Sequence, residues 1–134
     1  MKKILTLIVM ILALLLTACG NSGPSTKISF TMTDFAFTPN EFTVPAGEEI
    51  TLHITHDGTV EHNFIIMKYG MDAGEMFDAE DEVNTYWKIN VQPDETKTIT
   101  FVAPEQPGMY QVICGMPGHL QSGMIGKLTV VDSP

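Results

Sequence analysis

From Lys27 onward the chain runs in short stretches in which apolar and polar residues alternate. Ile28-Ser29-Phe30-Thr31-Met32-Thr33 and Ile50-Thr51-Leu52-His53-Ile54-Thr55 alternate throughout, the period of a strand with one face on a core. Thr96 to Val102 repeats the pattern, and Phe42-Thr43-Val44 is a shorter instance closed by Pro45-Ala46-Gly47. Asp57-Gly58 marks another turn. Phe64-Ile65-Ile66-Met67 is apolar on both faces and suits a central strand, while Tyr86 to Val91, Met109 to Cys114 and Met124 to Val131 complete the set. Many short strands between turn signals predict an all-β sandwich of seven to eight strands. The exception is Tyr69 to Thr85, an acidic stretch with Met71, Met76 and Phe77. A short helix or irregular loop packed across the sandwich is expected around 70–85.

The first residues follow a different pattern. Lys2 and Lys3 precede an uncharged apolar run from Ile4 to Leu16, and small residues lead to Cys19. That is the layout of a secretory signal, and the run is short of the roughly 18–20 residues of a membrane span. Leu16-Thr17-Ala18-Cys19 resembles a bacterial lipobox, whose cysteine is lipidated after cleavage. Residues 1–18 therefore read as a lipoprotein-type signal peptide. Residues 19–26 read as a lipidated Cys19 and a flexible Gly/Ser/Asn linker, and 27–134 as one domain. Lipid chains would hold the protein on a membrane surface, outside the cytoplasm.

Charge narrows the function. Without Lys2 and Lys3, five Lys and no Arg face sixteen acidic residues. Nucleic-acid binding is excluded for want of a basic footprint, and an acidic surface can steer the protein toward a basic partner. Of the two cysteines, Cys19 is assigned to processing. Cys114 then has no partner within an exported chain, so it is a candidate ligating or reactive thiol.

The surroundings of Cys114 favour ligation. Cys114-Gly115-Met116-Pro117-Gly118-His119-Leu120-Gln121-Ser122-Gly123-Met124 places a thiolate, an imidazole and a thioether in one loop between two strands. His62 opens the apolar strand upstream, which would reach the same end of a sandwich. Two His, one Cys and a weak Met form the donor set of a blue-copper site. His62, Cys114 and His119 are the candidate strong ligands, and Met124 the candidate axial ligand that tunes the potential. His53 falls on the polar face of its strand and reads as a surface residue. His56 sits just before a turn, six residues from His62, and a second metal site with an acidic neighbour such as Asp57 is its minor reading.

These motifs resemble the cupredoxins, type 1 blue-copper proteins of the azurin, auracyanin and plastocyanin kind. The resemblance rests on His62-Asn63, Cys-x-x-Pro-Gly-His and the four residues between His119 and Met124, and it covers residues 27 to 134. It implies a Greek-key β-sandwich binding one copper ion. It implies that Asn63 ties the two ligand segments together and supports the sulfur. Pro117, lacking an N–H, removes one possible donor from the sulfur's surroundings. Met116 and Leu120 are expected to form an exposed apolar collar around His119 through which electrons pass to a docked partner. Glu61 departs from azurin, which has a glycine there. Four-coordinate copper is therefore expected, with a carboxylate near the site that would lower the potential if it points inward.

The expected function is a periplasmic or extracytoplasmic electron carrier, not an enzyme, cycling Cu(II)/Cu(I) between redox partners. A c-type cytochrome, a membrane electron-transfer complex or a terminal oxidase fits that role, with the carrier a monomer. Nothing resembles a catalytic triad, a hydride site or a phosphate loop. The alternative is a copper carrier or chaperone delivering copper to a membrane oxidase, supported by the methionines of the acidic loop and opposed by the thiolate. A copper-free recognition module is a third reading, opposed by the complete ligand set.

Overall fold

The alternating runs form strands in the structure, a computed structural model that describes residues 23–134. The strands are β1 (Lys27–Thr33), β2 (Ala36–Thr38), β3 (Glu41–Pro45), β4 (Glu49–His56), β5 (His62–Met67), β6 (Thr85–Val91), β7 (Thr96–Val102), β8 (Gly108–Ile113) and β9 (Ile125–Val131). One helical turn, α1 (Ala79–Glu82), precedes β6. The segment expected to be a signal peptide, Cys19 and residues 20–22 of the expected linker lie outside the described residues. No helix among the described residues is long and apolar enough to cross a membrane.

Two sheets face each other, one in the order β2-β1-β4-β7 and one in the order β3-β9-β8-β5-β6. The pairs β1–β4 and β3–β9 are parallel and the rest antiparallel. Among the described residues, nine strands stand where seven to eight are expected from the sequence. The additional one is β2, whose three residues are too few to show a period. It pairs with β1 and buries Phe37.

Between the sheets, Phe64 packs on Phe30, Phe37 and Phe42 with ring centroids 4.8, 5.3 and 5.7 Å away. Such aromatic pairs add roughly 0.5–1.5 kcal/mol each beyond the area they bury. Every residue of β5 is buried. Phe64 and Ile66 face the inter-sheet core, whereas Ile65 and Met67 join a second cluster with Ala73, Ile113, Leu120 and Phe77. The acidic segment before β6 therefore covers the outer face of the five-stranded sheet, which explains why β5 is apolar on both faces. Within it, Asp78 caps α1 by accepting the Glu80 N–H, and Asp81 returns a bond to the Asp78 N–H.

The topology collects particular strand ends at one pole. Met32 near the end of β1 is in register with His56 at the end of β4, and the Asp57 N–H donates to the Met32 carbonyl. In the other sheet Ile113, last in β8, pairs with Ile125, first in β9, beside the strand that His62 opens.

Candidate metal centre

His62 is fully buried as the first residue of β5, Cys114 is fully buried just after β8, and His119 sits partly exposed on the turn between β8 and β9. Their donor atoms converge. The Nδ1 atoms of His62 and His119 are 3.0 Å apart, and the Cys114 Sγ lies 3.8 Å from the first and 3.3 Å from the second. A point in their plane equidistant from all three lies about 2.0 Å from each, matching the roughly 2.0–2.3 Å of metal–imidazole and metal–thiolate bonds. The donor triangle therefore fits a metal ion, and a thiolate with two imidazoles suits copper. Met124 is fully buried at the base of the same loop.

The loop holds its own shape. The Cys114 N–H donates to the Met124 carbonyl at 3.1 Å, and the Met124 N–H to the His119 carbonyl at 3.1 Å. The His119 N–H donates to the Met116 carbonyl at 3.0 Å, closing the turn through Pro117 and Gly118. Gly118 has φ +84° and Gly123 φ +91°, backbone that side chains with a Cβ resist. Asn63 joins this loop to β5, its N–H pointing at the Cys114 Sγ at 3.4 Å and its Oδ1 accepting from the Gly115 N–H at 2.7 Å. Gly115 can carry no Cβ without approaching Ile65 Cδ1 and Phe77 Cδ1 to 2.7 Å, so the loop packs directly on the second apolar cluster.

Burial holds both imidazoles below the ordinary histidine range, with Asp34 opposing the shift in each case. Both are therefore neutral and able to ligate at neutral pH. Burial pushes the Cys114 thiol up, against the pull of the Asn63 and Met116 backbone N–H groups. Metal must displace its proton.

Several features escaped the sequence. The Nε2 of His62 is 2.9 Å from Asp34 Oδ1, twenty-eight positions earlier in the chain. With His62 neutral, this is a charge-assisted hydrogen bond rather than an ion pair. Asp34 also accepts from the Thr59 N–H at 2.9 Å and the Thr59 hydroxyl at 2.6 Å, and these bonds hold its carboxyl well below the usual range. Phe35 lies edge-on to His119 at 4.7 Å and is 39 % exposed. Nothing in local spacing singles out Asp34 or Phe35.

Other expectations change. Leu120 is not part of an exposed collar: it is buried, because the turn folds it inward against Ile65, Met67, Ala73 and Ile113. Met116 is partly buried against the main core, and Pro117 is exposed. Phe35 takes the exposed apolar place beside His119. Glu61 does not point into the site, since its carboxylate accepts from the Asn90 side chain on β6 at 3.1 Å. His56 has no free ring nitrogen: Nδ1 accepts the Gly58 N–H at 3.0 Å and Nε2 donates to the Val60 carbonyl at 2.9 Å. It stacks on the His62 ring at 4.7 Å instead of joining a second metal site. His53 is exposed beside the Thr98 hydroxyl, as a surface residue should be.

Comparison with known proteins places the chain in one family. Residues 6–130 match the Cupredoxin-like domain, and the chain belongs to that family. Auracyanin-A of Chloroflexus aurantiacus is 31% identical, with 89% of this chain and 90% of that protein covered. Its solved structure, described as that of a "blue" copper protein, superposes with a TM-score of 0.64 over 81% of this chain and 100% of that chain. The dithionite-reduced auracyanin of Roseiflexus castenholzii is 34% identical, with a TM-score of 0.69 over 81% of this chain and 99% of that one. Nitrous-oxide reductase of Stutzerimonas stutzeri is 29% identical over 81% of this chain, but the match spans only 15% of the reductase.

Proposed function

We propose that this protein is a blue-copper electron carrier with His62, Cys114, His119 and Met124 as its ligands. The observation that carries the reading is the meeting of one thiol sulfur and two Nδ1 atoms, from two separate chain segments, at distances a single ion spans. Copper bound there would supply a one-electron Cu(II)/Cu(I) couple. The chain's contribution is to hold the donors in place beforehand, through the Asn63 bridge and the laced loop, so that little rearranges between oxidation states. Four protein donors leave no position for a substrate, unlike a catalytic metal site. The partly exposed His119, with Phe35 beside it, is the route for the electron to a docked redox protein such as a c-type cytochrome, a membrane electron-transfer complex or an oxidase.

The reading extends to location: an exported domain tethered through a lipidated Cys19 to the outer side of the cytoplasmic membrane, working as a monomer. The delivery reading draws on the exposed Met71 and Met76, which offer thioethers to soft Cu(I). A visible spectrum separates the two. One equivalent of Cu(II) added to the purified protein should produce an intense thiolate-to-copper charge-transfer band. A colourless or faintly coloured complex would overturn the electron-transfer reading and favour delivery.

A further inference from the structure

The ring of His62 is held on its edge by Asp34 and on its face by His56, and both holders are themselves fixed. Asp34 Oδ1 stands 2.9 Å from His62 Nε2. An ionised carboxylate only accepts hydrogen bonds, so the ring proton resides on Nε2 and the lone pair on Nδ1, the atom facing His119 and Cys114. The carboxylate is aimed by Thr59, which donates to it through both its N–H and its hydroxyl. His56 stacks on His62 with planes 18° apart, secured by Gly58 and Val60. Gly58 is required by this crowding, since a Cβ there would lie 2.3 Å from Asp34 Oδ1 and 2.9 Å from His56 Cε1. The Asp34 side chain is 24% exposed, so it is partly withdrawn from water.

We propose that Asp34 is the positioning residue of the metal centre, presenting His62 Nδ1 to copper and, as a fixed negative charge behind that ligand, favouring Cu(II) over Cu(I). The inference rests on the blue-copper reading above. A carboxylate behind a ligating imidazole fixes the tautomer and raises the basicity of the ligand nitrogen. The more highly charged ion gains more from both effects. Glu61, the carboxylate beside the ligand in sequence, faces Asn90. The outer carboxylate of this site therefore arrives from the end of β1.

The test compares the full chain with Asp34→Asn and Thr59→Val. Asp34→Asn should keep the charge-transfer band, because Cys114 still ligates, while weakening Cu(II) binding ten- to hundredfold. Cu(I) affinity, read by competition with a Cu(I) chelator, should fall less. Each tenfold difference between the two raises the midpoint potential by about 59 mV. Thr59→Val removes the hydroxyl but leaves the carboxylate on His62, so it should change the potential much less than Asp34→Asn. If Asp34→Asn retains the wild-type potential and affinities, or if both variants lose thermal stability with an unchanged Cu(II)/Cu(I) affinity ratio, Asp34 is only a loop tie and the proposal is wrong.

A metal-free readout separates this outcome from failure of the copper assignment. In the apoprotein the His62 Nε2–H proton should give an exchange-protected NMR signal that Asp34→Ala abolishes. Persistence of that signal in Asp34→Ala would overturn the positioning role even for a colourless protein. If that variant does not fold, the same signal is read in Asp34→Asn, where faster exchange is expected and wild-type protection would count against the proposal.

Discussion

Two segments meet at the metal pole and are held by different means. The loop from Cys114 to Met124 carries three of the four proposed ligands within eleven residues, and its hydrogen bonds are mostly its own. The segment from Asp57 to His62 carries one ligand and has little internal bonding. Its shape comes from side chains outside it, Asp34 on Thr59 and His62, and His56 on Gly58 and Val60. Asn63 is the bridge between them. A self-laced loop is a local device, whereas the His62 segment depends on the whole sandwich being assembled. The two halves of the site should therefore fail differently.

Cys114→Ser should cause the largest change, abolishing the intense absorption band even where copper still binds; a retained blue spectrum would remove the sulfur from the site. Next, Leu120→Ala tests whether the loop is anchored by its buried underside. Truncation in the second cluster should cost about 2–5 kcal/mol in chemical denaturation. A loss below roughly 0.5 kcal/mol, ordinary for a surface site, would return Leu120 to the exposed collar.

Asn63→Ala cuts the bridge. It leaves the Gly115 N–H without its acceptor and should cost about 1–3 kcal/mol, measured the same way. Wild-type stability would mean the two segments hold independently.

The pH dependence sharpens the contrast further. His62 and His119 both titrate below the ordinary histidine value of 6.5 in the folded protein. As pH falls below that value, the unfolded state takes up protons first, so the apoprotein should lose stability down to the depressed folded values. With both imidazoles neutral at pH 7 and Cys114 still a thiol, copper binding should release one proton. Cu(II) affinity should then rise about tenfold per pH unit above neutrality, up to the raised thiol pKa. Calorimetry in buffers of different ionisation enthalpy counts that proton, and a pH-independent affinity would contradict a protonated thiol. The smallest effect is expected from Met124→Leu, with copper retained and the potential raised by up to about 59 mV, a tenfold bias. An unchanged potential would leave Met124 as core packing only.

Much of the site is readable along the chain because its chemistry is local there. Cys114, His119 and Met124 are neighbours on one loop, and His62 starts a strand whose apolar run is unmistakable. The strands β1, β4 and β7 follow from alternation, because a two-sided sheet repeats every second residue. β2 is missed because three residues carry no period. Leu120 is misplaced because its direction depends on the bonds that close the turn and on the acidic segment lying over β5.

The sequence by itself determined which donors are available and what metal chemistry suits them, since residue type and short spacing suffice for that. Only the tertiary structure decided which of sixteen acidic residues stands behind a candidate ligand. Asp34 lies on the turn between β1 and β2 of one sheet, and His62 on β5 of the other. They meet because β1 ends and β5 begins at the same pole, and a contact made by topology leaves no pattern among sequence neighbours.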